Sequence, residues 1–376
     1  MTGTDEIEVV VYGATGGAGR RACAALRASG VAFAVAGRDV AAIAQLAAEL
    51  GVPGRVARVD DRAALAAAIG RARVVLCAAG PLADVATPLL GAALAAGAAY
   101  VDVGGEQAVL RALHEGEESA VRRAGIVAMP GCGLDCALGD LGAAWAASVV
   151  AGETLTGPLV RTQPAPRVAE EDPIDEIDIT YVYDELALSA AQQRAAFGRV
   201  GMRPLGWYRD RWEPMPSAGR RVNAGAAAGG ERVGVPAAAG DVLAIPRHVA
   251  VTVVNTYVSP TRRAGGALGL LSRALPLVPR AAAELLAPTA TPDDEIARAR
   301  FALVVQARRG FDEAQLVVRG RDPRGTSALI AAWVARVLAR RGPGPIGIRA
   351  PSELVRPDLA LRALADVCDL ELELGF

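Results

Sequence analysis

The chain contains no lysine, so all 40 of its Lys-plus-Arg residues are arginine. This excludes Schiff-base chemistry, a Walker-type phosphate loop and the Tyr-x-x-x-Lys pair of short-chain dehydrogenases, each of which needs an ε-amino group. Histidine is almost absent, with His114 and His248 alone, and the five cysteines (Cys23, Cys77, Cys132, Cys136, Cys368) form no C-x-x-C pair. That donor set does not suit a structural zinc site, so no metal is expected and the thiols are expected to be reduced. Although 52% of residues are hydrophobic, no uninterrupted apolar run reaches the roughly 18 residues of a spanning helix. A formal charge of −1 supplies no global field for nucleic acid or anionic lipid. Met1 to Glu8 carry Asp5, Glu6 and Glu8 and lead straight into a strand, unlike a secretory leader, which gives cytoplasmic location as the expectation.

What is present is concentrated near the N-terminus. Residues 7–12 read as a buried strand ending in Val9-Val10-Val11-Tyr12, followed by Gly13-Ala14-Thr15-Gly16-Gly17-Ala18-Gly19 and an alanine-rich helix over 20–29. Glycines at that spacing let the backbone turn tightly and approach a ligand, and the N–H groups opening the helix favour a pyrophosphate. Gly13, Thr15, Gly16, Gly17, Ala18 and Gly19 are therefore candidate cofactor-binding residues. A second strand over 31–36 ends at Gly37-Arg38-Asp39. A carboxylate at that tip holds the ribose 2′-hydroxyl of NAD, whereas a guanidinium suits the 2′-phosphate of NADP. A charge-assisted contact is worth roughly 1.5–3 kcal/mol, so Arg38 points to NADP, and Asp39 leaves NAD open.

Alternation continues with a helix over 40–50, a strand over 55–59, a helix over 62–69 and a strand over 74–78. A helix over 87–96 and a strand over 100–103 follow, then a helix carrying His114 and a strand over 126–129. This pace predicts a doubly wound parallel sheet. Asp60 is placed either to accept from the adenine amino group or to cap the helix at Arg62. Ala79-Gly80-Pro81 closes the fourth strand and is expected beside the nicotinamide half of the cofactor.

The later chain changes character. Acidic clusters (Glu170-Glu171-Asp172, Asp175-Glu176) precede an alternating strand at 177–183, and residues 201–240 read as a long irregular loop holding Trp207, Tyr208 and Trp212. A strand over 249–257, a hairpin over 301–307 and 315–319, and a helix capped near Thr326-Ser327 and running to Arg340 suggest a second α+β domain on a mixed or antiparallel sheet. The apolar stretch 268–286, broken by Pro276 and Pro279, suits core or subunit interface first, then pocket lining or peripheral membrane contact. A helix over 359–365 and a strand over 370–374 end the chain. Expected domains are 1–140, 141–345, and a segment 346–376 returning towards the first.

Together the segments Gly-Ala-Thr-Gly-x-x-Gly-Arg (13–20), Ala-Gly-Arg (36–38), Ala-Gly-Pro (79–81), Ala-Gly-Ala-Ala-Tyr-Val-Asp-Val-Gly-Gly-Glu (96–106) and Pro-Gly-Cys-Gly-Leu-Asp (130–135) resemble saccharopine dehydrogenase-like oxidoreductases, in the branch that includes bacterial trans-acting enoyl reductases. Arg-Gly-Arg-Asp-Pro (319–323), Gly325-Thr326 and Ala350-Pro351 extend the resemblance, which hardly reaches 150–245. Relatives often carry an aromatic residue where this chain has Leu82 and a tyrosine where it has Arg324. The resemblance implies an NAD(P)H-dependent reductase of an activated C=C or C=N bond in a small metabolite, and a homodimer formed through the second domain.

Such an enzyme must orient the hydride acceptor and manage one proton. Cys132 and Asp135, after the sixth strand, are the candidate catalytic residues. Glu106, Tyr181 and Tyr183 also qualify. Each has a structural rival: Cys132 as turn filler, Asp135 and Glu106 as helix caps, the tyrosines as sheet packing. His248 reads as structural. Two other readings stand beside this one. An opine-type C–N dehydrogenase would use Arg161, Arg167 and Arg247 for substrate carboxylates, and a non-catalytic nucleotide-binding scaffold would use the fold alone.

Overall fold

The computed structural model describes residues 6–152, 172–184, 203–216, 218–225, 230–259, 291–340 and 345–375. The chain forms two compact units, one from Met1–Leu134 with Arg324–Ala350, the other from Asp135–Pro323 with Pro351–Phe376. The crossings thus fall at 134/135, 323/324 and 350/351, where the sequence suggested 140 and 345.

The first unit is a parallel sheet. Strands β1 (Val9–Tyr12), β2 (Phe33–Gly37), β3 (Gly54–Val56), β4 (Val74–Cys77), β5 (Ala99–Asp102) and β6 (Val127–Met129) lie in the order β6-β5-β4-β1-β2-β3, and β15 (Gly347–Ile348) adds beside β6. All its pairings are parallel. β1, β2 and β4 are buried along their whole length, as strands covered on both faces must be. The crossover helices are α1 (Gly17–Ala28), α2 (Val40–Leu50), α3 (Arg62–Ile69), α4 (Leu82–Ala96) and α5 (Gln107–Ala124). The order reverses between β1 and β4, which is the switch point of a doubly wound sheet. α4 starts five residues before the expected Thr87, because Pro88 lies inside the helix rather than at its first position. Asp61, not Asp60, caps α3 by accepting the Ala64 N–H at 2.9 Å.

The second unit is a mixed sheet, in which β10 (Arg220–Asn223), β11 (Glu231–Pro236), β12 (Val251–Ser259), β7 (Ile174–Tyr183), β13 (Arg300–Arg309), β14 (Asp312–Arg321) and β16 (Glu371–Gly375) are successive neighbours. Only β12 and β7 run parallel among these. Helix α6 (Gly139–Val150) lies against β7, β13 and β14, with α10 (Pro357–Cys368) also packed on it. Its residues are buried on every side but one position, which accounts for a sequence apolar all round. Short helices α7 (Asp241–Ala244) and α8 (Asp293–Arg298) complete the unit, and α9 (Pro323–Arg340) leads out of it.

Two expectations are corrected. Part of 201–240 is not loop, since β8 (Leu205–Tyr208) and β9 (Arg211–Pro214) form a hairpin joined to β12. Its turn residues Arg209 and Asp210 both have positive φ, as a tight hairpin turn demands, but lack the Asn-Gly signature that flags one. Trp207 and Trp212 pair edge to face at 5.3 Å, with their indole N–H groups donating to Val251 and Val242 carbonyls at 3.0 and 2.9 Å. The C-terminal strand does not return to the first sheet. It pairs with β14, whose edge offers an apolar row opposite Leu372 and Leu374. Residues 268–286, Arg161 and Arg167 lie outside the described residues.

His248 is held inside the second unit as its sequence context suggested. Its Nε2 lies 2.5 Å from Asp140 Oδ1 and 2.9 Å from Ser352 Oγ, while Ser352 donates its hydroxyl and backbone N–H to Asp140 Oδ2 at 2.6 and 2.9 Å. One ring nitrogen faces both partners, whereas a hydrolase relay sets acid and hydroxyl on opposite nitrogens. Burial lowers the His248 pKa, but the charge and hydrogen bond of Asp140 outweigh it and leave it above its ordinary 6.5. A raised histidine pKa stabilises the fold fully below pH 6.5 and less as pH climbs through the folded value. Asp140→Asn should therefore cost about 3–5 kcal/mol near pH 6 and flatten the decline above pH 6.5. Urea-unfolding midpoints of both proteins across pH 5.5–8.5 check this, and parallel profiles would reject it.

Candidate functional site

At the carboxyl end of β1 the backbone turns so closely that glycine is required. Gly13 has φ of +78°, and a Cβ there would stand 2.6 Å from Ala79 N and 2.7 Å from Ala79 Cβ. A Cβ on Gly19 would overlap the Gly13 carbonyl and stand 2.6 Å from Ala14 Cα. Gly13 thus lets the β1 and β4 turns touch, and Gly19 seats α1 against the strand. Gly16, the extended N-cap of α1, has no close neighbour outside the turn except the Gly13 carbonyl at 3.4 Å from its Cβ position. The N–H groups of Gly17, Ala18 and Gly19 open the helix and have no intrahelical acceptor. The result is a cradle for a diphosphate, with Thr15 on the turn above it and no acidic residue in the first turn of α1.

The remaining candidates sort by position. Arg38 is exposed at the tip of β2, directly after Gly37. Asp39 caps α2, its Oδ1 accepting the Ala42 N–H at 2.9 Å. Asp60 is exposed and ion-paired to Arg58 at 3.1 Å, which holds its carboxyl below the usual range. Ala79, Gly80 and Pro81 line the turn between β4 and α4. The first N–H of α4, on Leu82, is satisfied by Glu106 Oε1 at 3.0 Å, so Glu106 caps a neighbouring helix rather than its own.

Sequence reading missed Asp102. Fully buried at the end of β5, its Oδ1 accepts the N–H groups of Gly104 and Gly131, each at 2.9 Å, and so ties the loops after β5 and β6 together. Its backbone carbonyl accepts the Cys132 N–H at 2.8 Å. Burial raises the Asp102 pKa to about 6 against the pull of those two N–H groups. The Val-Asp-Val-Gly-Gly string around it was a visible signal, since an aspartate closing a buried strand needs donors from the following turn. Cys132 itself is buried, with its thiol donating to the Met129 carbonyl at 3.2 Å.

In the second unit Asp135 is exposed and accepts the Tyr183 hydroxyl at 3.1 Å, so the structure joins two of the sequence candidates. Tyr181, two residues earlier on the same face of β7, donates to Asp241 at 3.0 and 3.1 Å, and Thr256 adds a bond at 3.4 Å. A Cβ on Gly139 would overlap Asp241 Oδ1, so the start of α6 is glycine because the carboxyl sits against it. Burial pushes the Asp241 pKa well up, and burial followed by the Asp135 charge does the same for Tyr183.

Among the described residues no group of three or more His, Cys, Asp or Glu could hold a metal ion, and no helix is long and apolar enough to cross a membrane. All five cysteines are buried and none is disulfide-bonded.

No family model matches the chain. Over 146 residues it is 34% identical to a trans-acting enoyl reductase of Mycobacterium leprae, a match covering 36% of this chain and 34% of that protein, so the similarity spans about a third of the relative's length. Among solved structures, saccharopine dehydrogenase (L-Glu forming) of Saccharomyces cerevisiae superposes with a TM-score of 0.61 over 98% of this chain and 99% of that one, at 14% identity. The resemblance expected from the sequence is therefore borne out. The parallel sheet with its second, mixed-sheet unit is the fold of saccharopine dehydrogenase.

The Asp102 shift has a sign that can be measured. A carboxyl whose pKa rises from 3.8 to about 6 on folding favours the folded state below the lower value and loses that contribution as pH climbs to the higher one. Asp102→Asn, whose amide oxygen still accepts both N–H groups, should remove a decline on the order of 2–3 kcal/mol between pH 4 and 6. Unfolding curves collected across that interval would show identical slopes for both proteins if the carboxyl were in fact exposed to water.

Proposed function

We propose that the protein is an NADP-preferring oxidoreductase that reduces an activated C=C or C=N bond of a small metabolite. The observation that carries this reading is the cradle at the β1–α1 turn, placed at the reversal of strand order where doubly wound sheets take dinucleotides. Its residues fit the group: the close approaches at Gly13 and Gly19 leave the α1 N-terminus open to an anion. Preference for the phosphorylated coenzyme is supported by Arg38, exposed at the tip of β2, and by Asp39 being engaged in capping α2. Gly13, Thr15, Gly16, Gly17, Ala18, Gly19, Arg38, Ala79, Gly80 and Pro81 are assigned to the coenzyme. Asp60, paired with Arg58, is assigned to the rim of the adenine end.

When bound, the coenzyme supplies the hydride. For the proton, the reading rests on Asp135 and Tyr183. The tyrosine hydroxyl donates to a carboxylate that solvent reaches, so in this reading a proton given to the substrate from the pair is replaced from water through Asp135. Cys132, buried and bonded to Met129, is given a packing role beside Asp102. The sequence likeness favours an enoyl substrate and the whole-chain fold likeness a C–N bond. Supplying α,β-unsaturated thioesters and cyclic imines in parallel separates the two by which one drives NADPH oxidation.

Calorimetric titration tests the coenzyme assignment. The protein should bind NADPH more tightly than NADH, and Arg38→Ala should weaken NADPH about 10- to 100-fold while sparing NADH. No heat with either coenzyme would end the redox reading. Once a substrate is in hand, Asp135→Asn should lower kcat by roughly 100-fold or more with the NADPH Kd unchanged. An unaltered kcat would remove the Asp135–Tyr183 pair from the chemistry.

A further inference from the structure

Helix α9 brings a second guanidinium to the cradle from more than 300 residues downstream. Arg324, in its first turn, occupies the space that Gly17 leaves by lacking a side chain. The Arg324 Cζ, Nη2 and Nη1 lie 2.9, 3.1 and 3.2 Å from the point where a Gly17 Cβ would stand. Gly17 is the first residue of α1, so the cation rests against the positive end of a helix dipole. A diphosphate at the cradle would meet donors from two sides, because the helix N–H groups and the guanidinium face the same region. The first turn of α9 is fixed at its other side too, since Ser327 Oγ accepts the Leu134 N–H at 3.0 Å, which anchors it to the loop after β6. Within one unit, that turn therefore reaches from the glycine turn of β1 to the loop of β6.

We infer that Arg324 is a ligand of the coenzyme's diphosphate, so that the N-terminus of α9 forms part of the cofactor site. This rests on the dinucleotide reading above and adds a residue that discriminates differently from Arg38. The diphosphate is common to NADPH, NADH and ADP-ribose, whereas the 2′-phosphate belongs to NADPH alone. Arg324 therefore contributes affinity without choosing between coenzymes, and Arg38 makes the choice. The planar guanidinium, with paired donors, suits two phosphate oxygens in a way that an ammonium does not.

The test titrates wild type, Arg324→Gln, Arg324→Lys and Arg38→Ala with NADPH, NADH and ADP-ribose by calorimetry. Arg324→Gln should weaken all three ligands by a similar factor, roughly 10- to 100-fold, and Arg324→Lys should fall between it and wild type. Arg38→Ala should weaken NADPH alone. Unchanged affinities in both Arg324 variants, tighter binding of any ligand, or a loss confined to one ligand would overturn the assignment. Arg324→Lys keeps the charge and most of the stem, so it supplies the comparison if the glutamine variant does not fold. Failure of the wild type to bind any of the three would instead defeat the dinucleotide reading itself, so the two failures are distinguishable.

Discussion

Everything at the candidate cofactor site depends on how closely two backbone turns approach. Ala79 stands where a side chain on Gly13 would be, and the Gly13 carbonyl stands where a side chain on Gly19 would be. These contacts bring the β1 turn against the β4 turn at the point where strand order reverses, and they aim α1 along the crevice. A methyl group at either position has no space without moving backbone, so the cost falls on the geometry of the whole carboxyl edge rather than on one contact. Gly17 differs in kind. Its neighbour is the end of a flexible arginine, so what its small size admits is a charged group from elsewhere in the chain.

A second constraint runs through both units, namely carboxyl groups buried at junctions and satisfied from several directions. Asp102 joins two loops through backbone N–H groups, Asp140 joins α6 to Ser352 and His248, and Asp241 sits against the start of α6 with Tyr181 and Thr256. Burying a carboxyl without partners costs far more than a typical hydrogen bond returns, so each position is tolerated only because its donors are supplied by fixed backbone or packed side chains. Neutralisation offers the alternative, and the raised pKa values of Asp102 and Asp241 show which groups lean that way. Asp140 instead has the imidazole of His248 beside it, whose pKa it raises.

The first unit was legible in the sequence because its signals are local. Apolar strand, glycine turn and amphipathic helix recur within about 30 residues, and α2 and α3 lie where the pattern put them. Differences there came from competing local rules: α4 begins ahead of the expected Thr87 with Pro88 inside it, and Asp61 rather than Asp60 accepts the Ala64 N–H. The second unit was less legible because its order is non-local. β16 finds β14 from fifty residues away, and the β8–β9 turn uses Arg209 and Asp210 in a conformation that neither residue type announces. For the site, the pairing of Asp135 with Tyr183 could be suspected residue by residue, but their meeting could not, since 48 positions separate them.

The absence of lysine gains meaning against this background. A site built only from guanidinium cations cannot tune a catalytic amine, so proton handling must fall to carboxyl, hydroxyl or imidazole groups. His248 is locked between Asp140 and Ser352. Tyrosine and carboxyl are paired twice on one face of β7, once in contact with solvent through Asp135 and once buried at Asp241. Sealing matters for the division of labour. Asp241 is buried away from water whereas Asp135 is exposed to it, and that difference is why the outer pair rather than the inner one carries the proposed chemistry.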